Sequence, residues 1–315
     1  MIWKILLILL GILIIATFII CRFFFRFAVV ADNGKWDQPP AKEPDPGTPK
    51  GRAYYERKRK KQEAEEIPYE DAWIVSKDGL KLHARYYPNE KAERIVILCH
   101  GYHGSVAADF AFILPMLKRD CEILAIDERA HGESEGKYIT FGAKEKQDIH
   151  DWADYMAQKN TRGLPVYLFG VSMGAASVLM NADTDPAGVK GIIADCGYTN
   201  MHDIICDVQK AWYKLPAFPG VNMMAFNCRL SAGFSMKDAD ARSAVKRAKL
   251  PVLFIHGTSD HFVPVHHTEQ NAAACVSRHR TVYVEDASHA ASAQKDPVLY
   301  EREVRSFFSQ TEADL

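Results

Sequence analysis

The chain has 315 residues, of which 48% are hydrophobic and 25% charged, and its formal net charge at pH 7 is −1. This length can bury a sizeable core and fits one large α/β domain or two smaller domains. No basic stripe with interleaved aromatic residues is present, so the sequence gives no support for nucleic-acid binding.

The first thirty residues are far more apolar than the remainder. Residues 5–21 form an uncharged, almost wholly aliphatic run between Lys4 and Arg22. At about 17 residues this run reaches the lower limit for a membrane-spanning helix. The alternative is a cleaved signal peptide, whose apolar core would be somewhat shorter. We expect an uncleaved, single-pass transmembrane anchor over residues 1–31.

The flanking charges leave the orientation of this anchor open. Lys4 and the free amino group favour a cytoplasmic amino terminus, whereas Arg22, Arg26 and Lys35 favour the opposite orientation. We expect the rest of the chain on the extracytoplasmic side of the membrane.

Residues 32–66 are expected to link the anchor to a globular domain. Prolines among polar residues as far as Gly51 predict an extended, semi-rigid tether. The charged stretch that follows, residues 52–66, predicts a solvated helix. Its basic run at 57–61 has the alternative role of contacting anionic lipid headgroups, because it lies near the anchor.

From residue 67 to 315 the pattern is that of one α/β domain. Residues 72–76 and 80–87 predict an antiparallel hairpin with an Asp-Gly turn. Further strands are predicted at 95–99, 123–126, 166–169, 191–194, 252–255 and 281–284, and helices at 142–158 and 301–308. Strands that alternate with helices predict a mostly parallel sheet flanked by helices on both faces.

A Gly-x-Ser-x-Gly sequence follows the strand at 166–169. It reads Gly170-Val171-Ser172-Met173-Gly174, and good helix formers come after it. Strand, turn and helix in this order are typical of a nucleophile elbow, in which the serine hydroxyl is lifted above the sheet edge. The two glycines allow strand and helix to pack closely around a strained residue. We therefore predict that Ser172 is a nucleophile.

A serine hydroxyl needs a base to remove its proton, and the base needs an acid to orient it. Asp260 and His289 follow the strands at 252–255 and 281–284. The order serine, acid, histidine is the one expected for a Gly-x-Ser-x-Gly hydrolase. The carboxyl ends of parallel strands meet at one edge of a sheet, so these side chains are expected to converge. Asp195 is the alternative acid.

The oxyanion formed by such chemistry needs two N–H donors. We expect the amide of Met173, immediately after the nucleophile, to be one donor. The amide of Tyr102 is expected to be the other, because it lies in the loop after the strand at 95–99.

The stretch between the strands at 191–194 and 252–255 is longer than one connecting helix requires. We expect residues 197–249 to form a small cap over the site, since substrate pockets are mostly apolar and this insertion is rich in apolar side chains. The alternative is that these side chains only pack against the domain. The candidate substrate-binding residues are Trp212, Phe218, Met223 and Met224.

The cysteine and histidine patterns indicate neither a disulfide framework nor a metal site. Seven cysteines are an odd number, and Cys206 and Cys228 are the two that could pair. No His/Cys spacing of the zinc type occurs, so we expect no metal and no cofactor.

Several motifs together resemble the α/β-hydrolase superfamily. They are the elbow, His100-Gly101, Asp127-x-Arg-x-His-Gly-x-Ser134 and His256-Gly-x-x-Asp260. The nearest branch contains the serine-aminopeptidase-like and monoglyceride-lipase-like hydrolases, including membrane-anchored bacterial members, and the resemblance covers about residues 70–310.

This resemblance implies a membrane-anchored ester hydrolase with a Ser-His-Asp triad and an acyl-enzyme intermediate. The expected substrate is a small or lipid-like ester, and no obligate protein partner is evident. The alternatives are an aminopeptidase or amidase of the same fold, and a non-catalytic binding protein. The intact triad argues against the last of these.

Overall fold

The structure is a computed structural model that describes residues 2–31, 42–214 and 216–313, and for Leu13 and Ile14 it describes the backbone alone. The described part of the chain is organised around one eight-stranded sheet. Its strands are β1 (Glu70–Val75), β2 (Lys81–Tyr87), β3 (Arg94–Cys99), β4 (Cys121–Ile126), β5 (Val166–Val171), β6 (Val189–Asp195), β7 (Val252–Gly257) and β8 (His279–Val284). The strand order is β1-β2-β4-β3-β5-β6-β7-β8. The β1–β2 and β2–β4 pairs are antiparallel and the others are parallel, as the sequence predicts.

Helices cover both faces of this sheet. The helices of the described residues are α1 (Ile2–Val29), α2 (Pro49–Glu65), α3 (Val106–Asp109), α4 (Leu114–Leu117), α5 (Glu145–Lys159), α6 (Met173–Leu179), α7 (Met201–Val208), α8 (Gly220–Asn227), α9 (Ala241–Val245), α10 (His266–Ala274), α11 (Ser292–Lys295) and α12 (Pro297–Glu312). Short π-helical segments at Gln209–Tyr213 and Cys228–Ala232 extend α7 and α8, and a 3₁₀ turn covers Met236–Asp238.

The core lies on both faces of the sheet, which explains the uninterrupted apolar runs of the central strands. In β3, Ile95 and Ile97 belong to the apolar cluster on one face, whereas Val96 and Leu98 belong to the cluster on the other. All four are fully buried. Because successive side chains of a strand point to opposite faces, a strand covered on both sides needs an apolar residue at every position.

The helix predicted from residue 142 begins three residues later, at Glu145. The Glu145 carboxylate accepts the N–H groups of Thr140, at 2.7 Å, and Gly142, at 2.9 Å. Gly142 has a φ of +94°, which is outside the helical region. These contacts hold the preceding residues in a turn.

The predicted tether is wrong at its carboxyl end, because α2 begins at Pro49. The Thr48 hydroxyl accepts the N–H of Gly51 at 3.0 Å and caps the helix. Proline at the first helical position needs no partner for its nitrogen. Residues 32–41 of the predicted tether lie outside the described residues. Most side chains of α2 face solvent, as the charged stretch predicts.

Helix α1 extends beyond the apolar run to Val29. Its most apolar window has a mean hydropathy of 2.9, and 6% of that window is buried, so it is not a core helix of the domain. By length and composition it is able to cross a membrane, a test that a signal sequence also passes. The last turns differ, because Phe25 and Val29 are fully buried against the globular domain.

The backbone after α1 is tied to the same body. Ala31 donates its N–H to the carbonyl of Lys137 at 3.0 Å, and Ile139 donates to the carbonyl of Val29 at 2.8 Å. The end of the helix is therefore a packed element of the globular domain, and the division of the chain at residue 31 stays a prediction.

The predicted cap insertion is built from α7, α8 and α9, between the ends of β6 and β7. It touches α1, where the Arg22 guanidinium donates to Ser231 Oγ at 2.7 Å and to Asn227 Oδ1 at 3.4 Å. All seven cysteine thiols are free, so Cys206 and Cys228 do not pair.

Candidate active site

Ser172 occupies the turn between β5 and α6, with φ 57° and ψ −114°. Residues other than glycine rarely adopt this backbone conformation, because it is strained. The surroundings leave no room for larger residues beside it. A Cβ on Gly170 would lie 2.3 Å from the carbonyl of Gly174, and one on Gly174 would lie 2.0 Å from the carbonyl oxygen of Cys99. The two glycines therefore permit the close packing that holds this turn.

The side chains of Ser172, His289 and Asp260 form a continuous chain of hydrogen bonds at the carboxyl edge of the sheet. Ser172 Oγ is 2.9 Å from His289 Nε2, and His289 Nδ1 is 2.7 Å from Asp260 Oδ2. Ser172 and Asp260 are buried, and His289 is half-buried. When Nδ1–H donates to the carboxylate, the lone pair of Nε2 faces the hydroxyl and can accept its proton.

The Asp260 carboxylate is surrounded by donors. Its Oδ1 accepts the N–H groups of Phe262 and Val263, each at 2.9 Å, and His256 Nε2 lies 3.3 Å from Oδ2. Burial alone would raise the pKa of Asp260, but hydrogen bonds from His256 and His289 and the backbone donor outweigh it and hold the pKa below its ordinary value. The group is therefore ionised and able to orient the imidazole.

Asp195, the alternative acid, has other partners. Its carboxylate accepts the Tyr300 hydroxyl at 3.0 Å and the Ser292 hydroxyl at 3.2 Å. Burial raises the pKa of Asp195 to about 6. These contacts make Asp195 a buried support beneath the elbow. The backbone carbonyl of Asp195 also accepts the Ser172 N–H at 2.8 Å.

The loop after β3 is fixed by two side chains. Gly101 donates its N–H to Asp109 Oδ2 at 2.7 Å, and His103 donates its N–H to His131 Nε2 at 3.1 Å. Burial lowers the pKa of His131 to about 4, so the ring is neutral near pH 7 and its nitrogen can accept. The segment between these two bonds is thereby held in one position.

Tyr102 lies in that held segment, and Met173 begins α6 directly after the nucleophile. Both residues border the same cavity as Ser172. The structure thus brings the two predicted oxyanion residues to the site. The Tyr102 hydroxyl donates to the carbonyl of Ala28 at 2.9 Å.

A cavity of about 450 Å³ opens above Ser172 and is lined almost entirely by apolar side chains. Of the cap residues predicted to bind substrate, Trp212 and Met224 form part of its wall. Phe218 and Met223 lie outside the wall, and Phe218 is 73% exposed. Adjacent residues of a helix point about 100° apart, and here Met224 faces the cavity whereas Met223 does not.

Several known proteins and one family model are similar to this chain. A family model described as serine aminopeptidase, S33, matches residues 90–224. The uncharacterised protein YqkD of Bacillus subtilis (strain 168) is 28% identical over 236 residues, which cover 74% of this chain and 77% of YqkD. Human monoglyceride lipase is 32% identical over 133 residues, which cover 40% of this chain and 43% of the lipase.

The esterase Pf2001 of Pyrococcus furiosus has the same fold. Its structure superposes with a TM-score of 0.64 at 22% identity and covers 78% of this chain and 91% of its own. The chain has the α/β-hydrolase fold, and its sequence matches support the serine-aminopeptidase-like and monoglyceride-lipase-like branch of that fold. The fold predicted from the sequence is therefore confirmed.

Sequence reasoning missed one part of the hydrolase's cavity wall, which comes from α1. Cys21, Phe24, Phe27 and Ala28 border the cavity beside the cap residues. Their spacing of three and four residues places them on one face of the helix. This spacing was the available signal, but it lies within a run of phenylalanines that is also typical of a membrane segment.

A cluster of histidines outside the cavity ties the hydrolase's cap to its body. Nε2 of both His266 and His267 lies 3.1 Å from Asp207 Oδ2, a grouping that resembles a set of metal ligands. Thr199 donates its N–H to His267 Nδ1 at 3.2 Å, so the neutral ring carries its proton on Nε2. That nitrogen therefore has no lone pair to offer a metal, and its contact with Asp207 Oδ2 is close but lies outside hydrogen-bond geometry.

Proposed function

We propose that this α/β-hydrolase is a membrane-anchored serine esterase that cleaves carboxylic esters through an acyl-enzyme intermediate. The observation that carries the proposal is the hydrogen-bonded chain from Ser172 Oγ through His289 to Asp260 at the floor of an apolar cavity. A nucleophile, a base and an acid in this arrangement are what acyl transfer requires.

In the proposed reaction Ser172 Oγ attacks the ester carbonyl while His289 Nε2 takes its proton. The amides of Met173 and Tyr102 donate to the oxyanion of the tetrahedral intermediate. His289 then gives the proton to the leaving alcohol, and the acyl group remains on the serine. Water, deprotonated by His289, releases the acid and restores the enzyme, while Asp260 stays ionised throughout.

The cavity favours esters over peptides with a free amino terminus, which is the alternative suggested by the name of the matched family. Binding an ammonium group calls for a carboxylate, and none of the described residues that line the cavity carries one. The carboxylates of the cap are engaged elsewhere: those of Asp203, Asp207, Asp238 and Asp240 pair with or cap neighbouring groups of the protein.

We also propose that α1 is an uncleaved anchor that holds the catalytic domain on the extracytoplasmic side. Support comes from Phe25 and Val29, which are fully buried, because cleavage after residue 31 would remove both from the core. Protease treatment of sealed membrane vesicles of known orientation tests the side: digestion of the domain only from the cytoplasmic face would contradict it.

The test of the esterase uses full-length protein in detergent. Turnover of p-nitrophenyl acetate and butyrate is expected to fall about 10⁴-fold or more in Ser172→Ala, since loss of the nucleophile removes the whole triad's contribution. A fluorophosphonate probe is expected to label the wild type and not this variant.

Ser177→Ala is the matched control, because Ser177 lies on the same helix and its hydroxyl donates to the Met173 carbonyl at 2.9 Å rather than facing the cavity. It is expected to retain labelling and turnover. Equal turnover by wild type and Ser172→Ala would refute the proposal, and release of aminoacyl naphthylamides at a rate above the esters would favour the aminopeptidase.

A further inference from the structure

The helix that carries the membrane-length apolar run also forms one wall of the cavity above Ser172. Cys21, Phe24, Phe27 and Ala28 border that cavity. The Tyr102 hydroxyl bonds to the Ala28 carbonyl, and Phe24 packs edge-to-face against Tyr213 of the cap, with 5.4 Å between ring centroids. These contacts fix which face of α1 is turned towards the site.

The geometry of α1 sets the height of this wall relative to a bilayer. An α-helix rises about 1.5 Å per residue, so the roughly 20 residues from Ile2 to Cys21 span about 30 Å, the thickness of a hydrocarbon core. Arg22 then reaches the level of the lipid headgroups. The cavity-lining residues begin at Cys21, so one end of the cavity lies at the boundary between acyl chains and headgroups.

The edge of the cap beside α1 carries exposed apolar side chains. Phe226 is 58% exposed and Leu230 is 69% exposed. They flank Asn227 and Ser231, the two residues to which Arg22 donates. Large apolar side chains at the level of a membrane interface insert into it, whereas in water they would form an unfavourable patch. The cap edge and Arg22 therefore mark the same membrane surface.

We propose that the cavity takes one acyl chain of an ester-linked membrane lipid, which enters sideways from the adjacent leaflet between α1 and the cap. On this view α1 is a wall of the acyl site as well as an anchor. The inference rests on the proposed function, since it places the ester carbonyl at Ser172. The uncharged wall accommodates the chain, and the polar headgroup stays at the rim.

The size and chemistry of the cavity agree with this occupant. Its volume of about 450 Å³ lies within the roughly 300–1,000 Å³ typical of small-ligand sites. No lysine, arginine, aspartate or glutamate occurs among the described residues of its wall. An acyl chain that passes from the leaflet into this cavity exchanges one apolar environment for another and does not cross water.

Two neighbouring phenylalanines provide a matched test. Phe24 lines the cavity, whereas Phe23 is 65% exposed and lies outside its wall. For full-length protein in detergent, the measured quantity is the ratio of kcat/KM for p-nitrophenyl dodecanoate to that for the acetate. Phe24→Ala is expected to lower this ratio about tenfold, since it removes apolar contact with the chain, and Phe24→Leu is expected to restore most of it.

Phe23→Ala is expected to leave the ratio unchanged. Equal ratios in Phe24→Ala and wild type, or equal losses in the two alanine variants, would overturn the role of α1 as a wall. Fluorophosphonate labelling of each variant verifies that the site is folded. Ser172→Ala is assayed in parallel: acetate turnover that survives in it defeats the proposed function, whereas its loss without a Phe24 effect defeats this inference alone.

The route of entry is tested in vesicles. The enzyme is reconstituted into phosphatidylcholine vesicles that contain p-nitrophenyl hexadecanoate, or is mixed with separate protein-free vesicles that contain the same ester. Sideways entry predicts turnover at least about tenfold faster when ester and enzyme share a bilayer, because the transfer of a 16-carbon chain from a membrane into water is strongly unfavourable. Equal rates in the two arrangements would mean that substrate arrives through water and would overturn the proposal.

Discussion

The floor and the roof of the cavity are built in different ways. The floor consists of polar side chains on short loops after β5, β7 and β8, and each is fixed by partly buried hydrogen bonds. The roof consists of apolar side chains from the cap and from α1, segments that are remote in sequence and held mainly by packing. The floor determines which bond can react, and the roof determines which molecule can reach it.

The largest effect is expected from a pair of matched substitutions in the floor. Asp260→Asn keeps the shape of the acid but stabilises the wrong tautomer of His289, and the expected loss in kcat for p-nitrophenyl acetate is about 10⁴-fold. Asp195→Asn should change kcat by no more than a few-fold, because its carboxylate contacts Tyr300 and Ser292. Similar losses in both variants, with fluorophosphonate labelling retained, would reassign the acid.

A smaller effect is expected from the support of the loop after β3. Asp109→Ala removes the acceptor for the Gly101 N–H, which lies 2.7 Å away. A shift of the loop by even about 1 Å would misplace the Tyr102 amide, so we expect kcat for the acetate to fall about 10²-fold. Asp109→Asn keeps an acceptor oxygen and should recover most of that loss. If Asp109→Ala is as active as wild type, the loop does not supply an oxyanion donor.

The contrast between floor and roof also explains how far the sequence could be interpreted. Strand, elbow and helix around Ser172 are consecutive in the chain, so local pattern alone located the turn and both of its glycines. The convergence of the three triad residues was expected from the rule that parallel strands end at one edge of the sheet. Hydrogen bonds have a narrow range of lengths, so three side chains of these types that meet at one edge can be arranged in few ways.

The roof could not be located in the same way, because its members meet only through tertiary packing. The sequence indicated an apolar cap but could not separate Met224, which lines the cavity, from Met223, which does not. Phe24 and Phe27 fit a membrane segment equally well, since bilayers and apolar cavities select the same side chains. The first turn of α2, which Thr48 caps, was also missed. Prolines among polar residues favour an extended chain, but a proline directly after a capping residue is also compatible with the start of a helix.

The roof itself is tested by two cap residues that the sequence treated alike. Trp212 lines the cavity and packs against Phe262, which in turn lies 4.9 Å from the His289 ring. Trp212→Ala is expected to lower kcat/KM for p-nitrophenyl dodecanoate about tenfold, by loss of apolar contact. Phe218→Ala, which alters an exposed ring outside the wall, should have no such effect. If Phe218→Ala causes the larger loss, the substrate lies across the outer surface of the cap.

The smallest effect is expected where roof and anchor meet. Arg22 joins α1 to the cap through Ser231 and Asn227, whereas Arg26, one turn later, is exposed. A partly exposed bond of this kind contributes about 1 kcal/mol, so Arg22→Ala should loosen the roof and lower the dodecanoate-to-acetate ratio about three-fold. Arg26→Ala removes the same charge near the membrane without touching the cap and should leave the ratio unchanged. Because both variants lose one cation, equal effects would mean that charge at the membrane surface, and not attachment of α1 to the cap, controls the selection of long chains.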